Sequence, residues 1–152
     1  MILLSEYFIP SNEERHKEYL TCVESNIKNP NIEIIELFIE SDDDKLPFES
    51  NKVNYNVVSE RPTFSYLFEF CNEKYEGEIC IISNLDIIFD ETLKHITNSN
   101  INNKFITLNR YDIKEDGKLH PFRYNIGDSQ DCWIFKSPID IKGADFTMGR
   151  LG

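Results

Sequence analysis

Apolar and polar positions alternate along this chain in two different rhythms. Met1 to Ile9 is apolar with Glu6 as its lone charge, and Pro10-Ser11-Asn12 ends the run, which predicts a first strand. Ser11 or Asn12 then caps a helix over 12–28, where Glu13 and Glu14 suit the N-terminal turn and Tyr19, Leu20, Val23 and Ile27 share one face. Asn29-Pro30-Asn31 stops it, and Ile32–Ile39 reads as a second strand of nearly continuous apolar content. After the acidic loop Ser41-Asp42-Asp43-Asp44, residues 53–58 alternate with period two, as a short edge strand does. Arg61-Pro62-Thr63 opens a second helix, in which Phe64, Leu67, Phe68, Cys71 and Tyr75 fall at i, i+3, i+4, i+7 and i+11, and Gly77 ends it.

Ile79-Cys80-Ile81-Ile82 carries no charge, and so short an apolar run reads as a strand buried on both faces, as in the middle of a parallel sheet. Asp90 can cap a short helix over Glu91–Asn98 that buries Leu93 and Ile96. Lys104–Leu108 is another strand, Glu115-Asp116-Gly117-Lys118 a turn, and Cys132-Trp133-Ile134-Phe135 a final strand limited by Pro138. Strands alternating with helices imply right-handed crossovers, hence an α/β fold with a mainly parallel central sheet and helices on both faces. No repeat or linker interrupts residues 1–152, so one domain is expected.

Charge narrows the partners. Lys+Arg at 16 against Asp+Glu at 27 gives −11, which disfavours a nucleic-acid backbone as ligand. An acidic protein that handles phosphates needs a divalent cation between them. No apolar run reaches the ~20 residues of a membrane span, and Met1-Ile2-Leu3-Leu4 is too short for a signal sequence, so a cytoplasmic location is expected. The four cysteines form no C-x-x-C pair and read as reduced core residues, and the three histidines have no zinc spacing.

The central apolar run ends abruptly in Asn84-x-Asp86, with Asp90 four residues on. A carboxylate at the end of a buried strand costs stability unless it is paired or holds a metal. The carboxyl ends of such strands are also where open α/β sheets bind ligands. Glu40 after strand two, Asn84 and Asp86, and Ser129-Gln130-Asp131 before the Trp133 strand are expected to converge there. Such oxygen ligands suit Mg²⁺ or Mn²⁺, and the cation would neutralise a diphosphate. An Asx cap that merely ends the strand explains Asp86 equally well.

The blocks Ser83-Asn84-Leu85-Asp86-Ile87-Ile88-Phe89-Asp90, Leu108-Asn109-Arg110-Tyr111 and Ser129-Gln130-Asp131-Cys132-Trp133-Ile134-Phe135 resemble, in order, a set of glycosyltransferase-like proteins of GT-A fold. The helix with Arg15 and the Arg61-Pro62-Thr63-Phe64 segment are also similar to that group, so the resemblance covers most of the chain. It implies a Rossmann-like nucleotide-sugar-binding domain in which Asn84-x-Asp86 stands where the family has Asp-x-Asp. Asp86 would then hold Mn²⁺ or Mg²⁺ on the donor diphosphate, and Asn84 would orient ribose or phosphate. Pro10, Arg15, Glu40, Arg61 and Arg110 would complete the donor side, and Asp131 would be the catalytic base or acceptor contact. Asn84 in place of a carboxylate weakens the metal site or leaves one ligand to water. A GxxGCDN-like acceptor segment is not carried over, because the sequence stops after Gly149 and Gly152.

Bland roles stand beside each assignment. Arg110 could face a phosphate or pair with Asp86, Asp90 or Asp112, and Asp131 could be a hydrogen-bonded strand cap. Arg15 and Arg61 lie where helices begin, a place suited to anions, or are solvated helix residues. Trp133 reads as core and Asp42-Asp43-Asp44 as a solvated loop. The functional expectation is a metal-dependent glycosyltransferase acting on a nucleotide-sugar donor and a saccharide or protein acceptor. A catalytically silent nucleotide-sugar-binding domain and a nucleotidyltransferase-like enzyme are the alternatives. The absence of G-x-x-x-x-G-K-[ST] sets a P-loop NTPase aside.

Overall fold

A computed structural model describes residues 1–114, 116–121 and 130–147. Ser129 and Met148–Gly152, named above, lie outside the described residues, as does Glu115 of the expected turn. The chain runs β1 (Ile2–Glu6), α1 (Glu13–Lys28), β2 (Ile34–Ile39), β3 (Val53–Val57), α2 (Phe64–Lys74) and β4 (Ile79–Ser83). A 3-10 turn over Glu91–His95 and α3 (Asn98–Ile101) follow, then β5 (Phe105–Leu108), β6 (Tyr111–Ile113), β7 (Leu119–Pro121) and β8 (Cys132–Lys136). Six strands form one sheet in the order β3-β2-β1-β4-β8-β5, and β6 pairs with β7 as a separate hairpin.

The first four strands are parallel, as the alternating pattern requires, and β3 is the edge strand. β8 inserts antiparallel between β4 and β5, so the sheet is mixed but mostly parallel. The two long helices cover opposite faces. Val23 of α1 packs with Leu3, Ile35, Leu37, Ile39 and Ile81. Phe64, Leu67, Phe68 and Cys71 of α2 pack with Ile2, Leu4, Phe38, Cys80 and Ile82. Alternate residues of one strand thus serve opposite faces, which is why these strands read as continuous apolar runs. Trp133 is half-buried, edge-on to Phe64 at 4.7 Å between ring centres. Cys22, Cys71, Cys80 and Cys132 are free and buried, and burial pushes the Cys22 and Cys132 thiols up to about 12.

Some boundaries differ from the pattern. The expected helix over Glu91–Asn98 is instead the 3-10 turn, capped by Asp90 through the Thr92 N–H, followed by α3. Leu93 is buried and Ile96 half-buried, so the apolar anchors hold although the helix breaks between them. The hairpin β6–β7 extends the expected turn at Gly117, whose φ of +75° suits a residue without Cβ. Its register places Tyr111, Ile113 and Leu119 together with Pro121 on one face, and the three large side chains are exposed. Among the described residues no helix is long and apolar enough to cross a membrane.

The apolar reading of β2 passes over Glu36, which is fully buried. Its Oε1 accepts hydrogen bonds from Lys74 Nζ at 2.9 Å, Asn54 Nδ2 at 2.9 Å and the Tyr75 hydroxyl, and Oε2 accepts one from Asn56 Nδ2 at 2.6 Å. Burial alone would raise its pKa, but the bonds from Lys74, Tyr75, Asn54 and Asn56 together outweigh burial and hold it below the ordinary carboxylate value. Asn54 and Asn56 are the polar face of the period-two edge strand, so the alternation of β3 exists to satisfy this carboxylate.

Glu36→Gln removes the charge and replaces one acceptor oxygen with an amide NH2 that faces donors, and should cost about 2–4 kcal/mol in urea unfolding at pH 7. Because the native pKa is depressed, the wild-type advantage is present above the unfolded value and fades as pH falls through the native one. Unfolding curves at pH 7 and near pH 3 should therefore differ for wild type far more than for the variant.

Candidate functional site

Strand direction brings the candidate residues to one edge. The carboxyl ends of β1, β2 and β4 lie side by side, and the antiparallel β8 begins where they end. Glu6 closes β1, Glu40 follows β2, Asn84 and Asp86 follow β4, and Asp131 precedes β8. Leu108 at the end of β5 pairs with Cys132, and Asp131 N–H donates to Leu108 O at 3.1 Å, which brings Arg110 to the same edge.

Three arginines meet three of these carboxylates. Arg15 Nη2 donates to Asp86 Oδ2 at 2.7 Å, Arg61 Nε to Glu6 Oε1 at 2.6 Å, and Arg110 Nη1 to Asp131 Oδ1 at 2.9 Å. Arg110 also reaches Asp112 at 3.2 Å. Of the partners expected for Arg110, Asp112 is realised. Asp131 was not among those weighed.

Asp131 is buried, and its Oδ1 also faces Asn84 Nδ2 at 3.4 Å, whereas its Oδ2 is buried with no hydrogen-bond partner among the described residues. Asp86 is half-buried, its side chain 23% exposed, with Oδ1 free of protein hydrogen bonds among the described residues. Burial opposes the Arg15 charge, but bonds to Tyr19, Asp86 and Glu18 outweigh it and raise its pKa. Burial likewise opposes the Arg110 charge, and Asp131 and Asp112 more than compensate. Glu6 is the reverse case: burial raises its pKa, Arg61 opposes, and the Glu40 charge adds to the rise. Glu40 itself is exposed. Pro10 lies half-buried in the β1–α1 connection.

The helix starts offer less to an anion than their position suggests. Asn12 Oδ1 accepts from the N–H groups of Glu14 and Arg15. At α2, Thr63 Oγ1 accepts from Tyr66, while Phe64 and Ser65 N–H donate to the carbonyls of Phe146 and Ala144. The guanidinium groups of Arg15 and Arg61, not free backbone N–H groups, are the cations beside these caps.

Two residues fix the site that the sequence reading did not place in it: Asn26, and Asn29, which it read only as part of a helix stop. Buried Asn26, on the packed face of α1, donates to Ile87 O at 2.8 Å and accepts from Phe89 N–H at 2.9 Å. Asn29 donates to Phe89 O at 2.9 Å and Asp90 O at 3.1 Å. The loop that carries Asp86 is thereby held to the helix that carries Arg15. An amide on the apolar face, one turn after Cys22 and Val23, was the available signal. For Glu6 the available signal was a lone charge inside the apolar run Met1–Ile9.

Among the described residues no three His, Cys, Asp or Glu side chains converge as a metal-binding group. A cation here would take most ligands from phosphate and water, as Mg²⁺ commonly does with one or two carboxylates. Asp86 Oδ1 and the Asn84 amide oxygen fit that role: hard oxygens at the open end of the sheet, neither engaged by a protein donor among the described residues. No family model matches this sequence, and no curated protein matches it significantly.

Arg110→Met strands Asp131 and should cost about 2 kcal/mol, reduced from a fully buried pair because Arg110 is partly exposed. Adding Asp131→Asn should restore about half of that loss, a non-additivity readable in a double-mutant cycle of urea midpoints.

Proposed function

We propose that this domain binds a nucleotide diphosphate sugar across the carboxyl edge of its sheet and acts as a glycosyltransferase of GT-A type. The observation that carries the reading is the assembly of Asn84, Asp86 and Asp131 with Arg15, Arg61 and Arg110 at one sheet edge. Planar guanidinium groups suit phosphate oxygens, which they take in pairs. A divalent cation bound by Asp86 and Asn84 would supply charge neutralisation for the leaving diphosphate. The protein's own share is to orient the donor and to keep a base in place.

Asp131 fits the base. Arg110 and Asn84 fix one of its oxygens, and the other is a buried acceptor without a donor. As base it would take the proton of an acceptor hydroxyl, once ligand binding uncovers Oδ2, while that oxygen attacks the anomeric carbon and the diphosphate leaves. The ion pairs also favour a second reading, a nucleotide-sugar-binding domain without transfer, because Arg15 and Arg110 already engage both carboxylates.

Calorimetric titration with UDP-, GDP- and other nucleotide-linked sugars, with and without Mn²⁺, separates these readings. The expected outcome is donor binding strengthened at least about tenfold by Mn²⁺. Donor hydrolysis or transfer should accompany it and vanish in Asp86→Ala. Metal-strengthened binding without turnover selects the silent domain, and no binding to any donor removes both.

A further inference from the structure

We infer that Arg15 is a resident counter-ion that weakens the hold of Asp86 on a divalent cation until a diphosphate draws the guanidinium away. The inference rests on the nucleotide-sugar reading above and adds an order of events to it. Arg15 is held on three sides: Nη2 on Asp86 at 2.7 Å, Nη1 on Glu18 at 2.6 Å, and its guanidinium over the Tyr19 ring at 4.8 Å. The side chains of Arg15 and Asp86 are nonetheless 41% and 23% exposed, so a ligand from solvent can reach both.

A guanidinium and a metal ion compete for one carboxylate, and each repels the other. Arginine does not lose its charge at any working pH, so protonation cannot open the site. A second anion can. Diphosphate oxygens accept two parallel N–H bonds as a carboxylate does, and they offer the cation additional ligands once Asp86 is released. The exchange needs only a side-chain movement, because the carbonyl and N–H groups of the Asp86 loop stay fastened to α1 through Asn26 and Asn29. Metal and nucleotide binding are then coupled, and linkage requires each to strengthen the other by the same factor.

Mn²⁺ titration of the full chain, followed by electron paramagnetic resonance with and without UDP or GDP, tests this. In Arg15→Gln, nucleotide-free Mn²⁺ affinity should rise about tenfold over wild type, and the further gain from nucleotide should shrink correspondingly. Arg15→Met should repeat the result, Arg15→Lys should stay close to wild type, and Asp86→Asn should bind no Mn²⁺ at all. Equal nucleotide-free affinities in wild type, Arg15→Gln and Arg15→Met overturn the counter-ion role while leaving the donor site standing. Failure of every variant to bind Mn²⁺, with or without nucleotide, overturns both.

Discussion

A sheet covered on both faces offers no solvated place for a carboxylate, and here one lies within it and three stand at its edge. Each is matched by a cation: Glu36 by Lys74, Glu6 by Arg61, Asp86 by Arg15 and Asp131 by Arg110. The compensation differs with depth. Glu36, fully buried, has both oxygens saturated by four side chains. The edge carboxylates are less completely satisfied, and Asp131 keeps one oxygen without a partner. A stability-only design would saturate them too. The unfilled bonding capacity collects where strands end, and that asymmetry separates a structural carboxylate from a candidate chemical one.

The helix α1 ties these arrangements together. Its first turns carry Arg15, which meets Asp86, and its last turn carries Asn26 and the following Asn29, which grip the backbone from Ile87 to Asp90. One rigid element therefore sets both members of the Arg15–Asp86 contact. The apolar stripe through Val23 seats that element on β1, β2 and β4. Packing thus determines electrostatic geometry at a distance.

Much of this was legible from pattern. β1, α1, β2, α2 and β4 follow from apolar runs and helical spacing, because burial on both faces leaves a clear signature. The edge position of β3 followed from its alternation. Strand direction was not legible: nothing in Cys132–Phe135 distinguishes an antiparallel β8 from a parallel one, since both bury the same faces. The three-residue strands of the β6–β7 hairpin were too short to carry a period. At the candidate site the sequence named Asn84, Asp86, Asp131 and the three arginines, and of their partners only Asp112 for Arg110. Arg15 and Asp86, or Arg61 and Glu6, are joined only by the fold, and Glu36 vanished into an apolar run because one charge does not disturb its pattern.

The antiparallel strand has a topological result of its own. β5 leaves the sheet at Leu108 and β8 re-enters at Cys132, opposite one another, so residues 109–131 depart and return at the rim that bears Asp86. Among the described residues this excursion carries the β6–β7 hairpin and adds no strand to the six-stranded sheet. A change in the length or sequence of that hairpin leaves the six-strand pairing intact, so variation there is separable from the folding of the sheet.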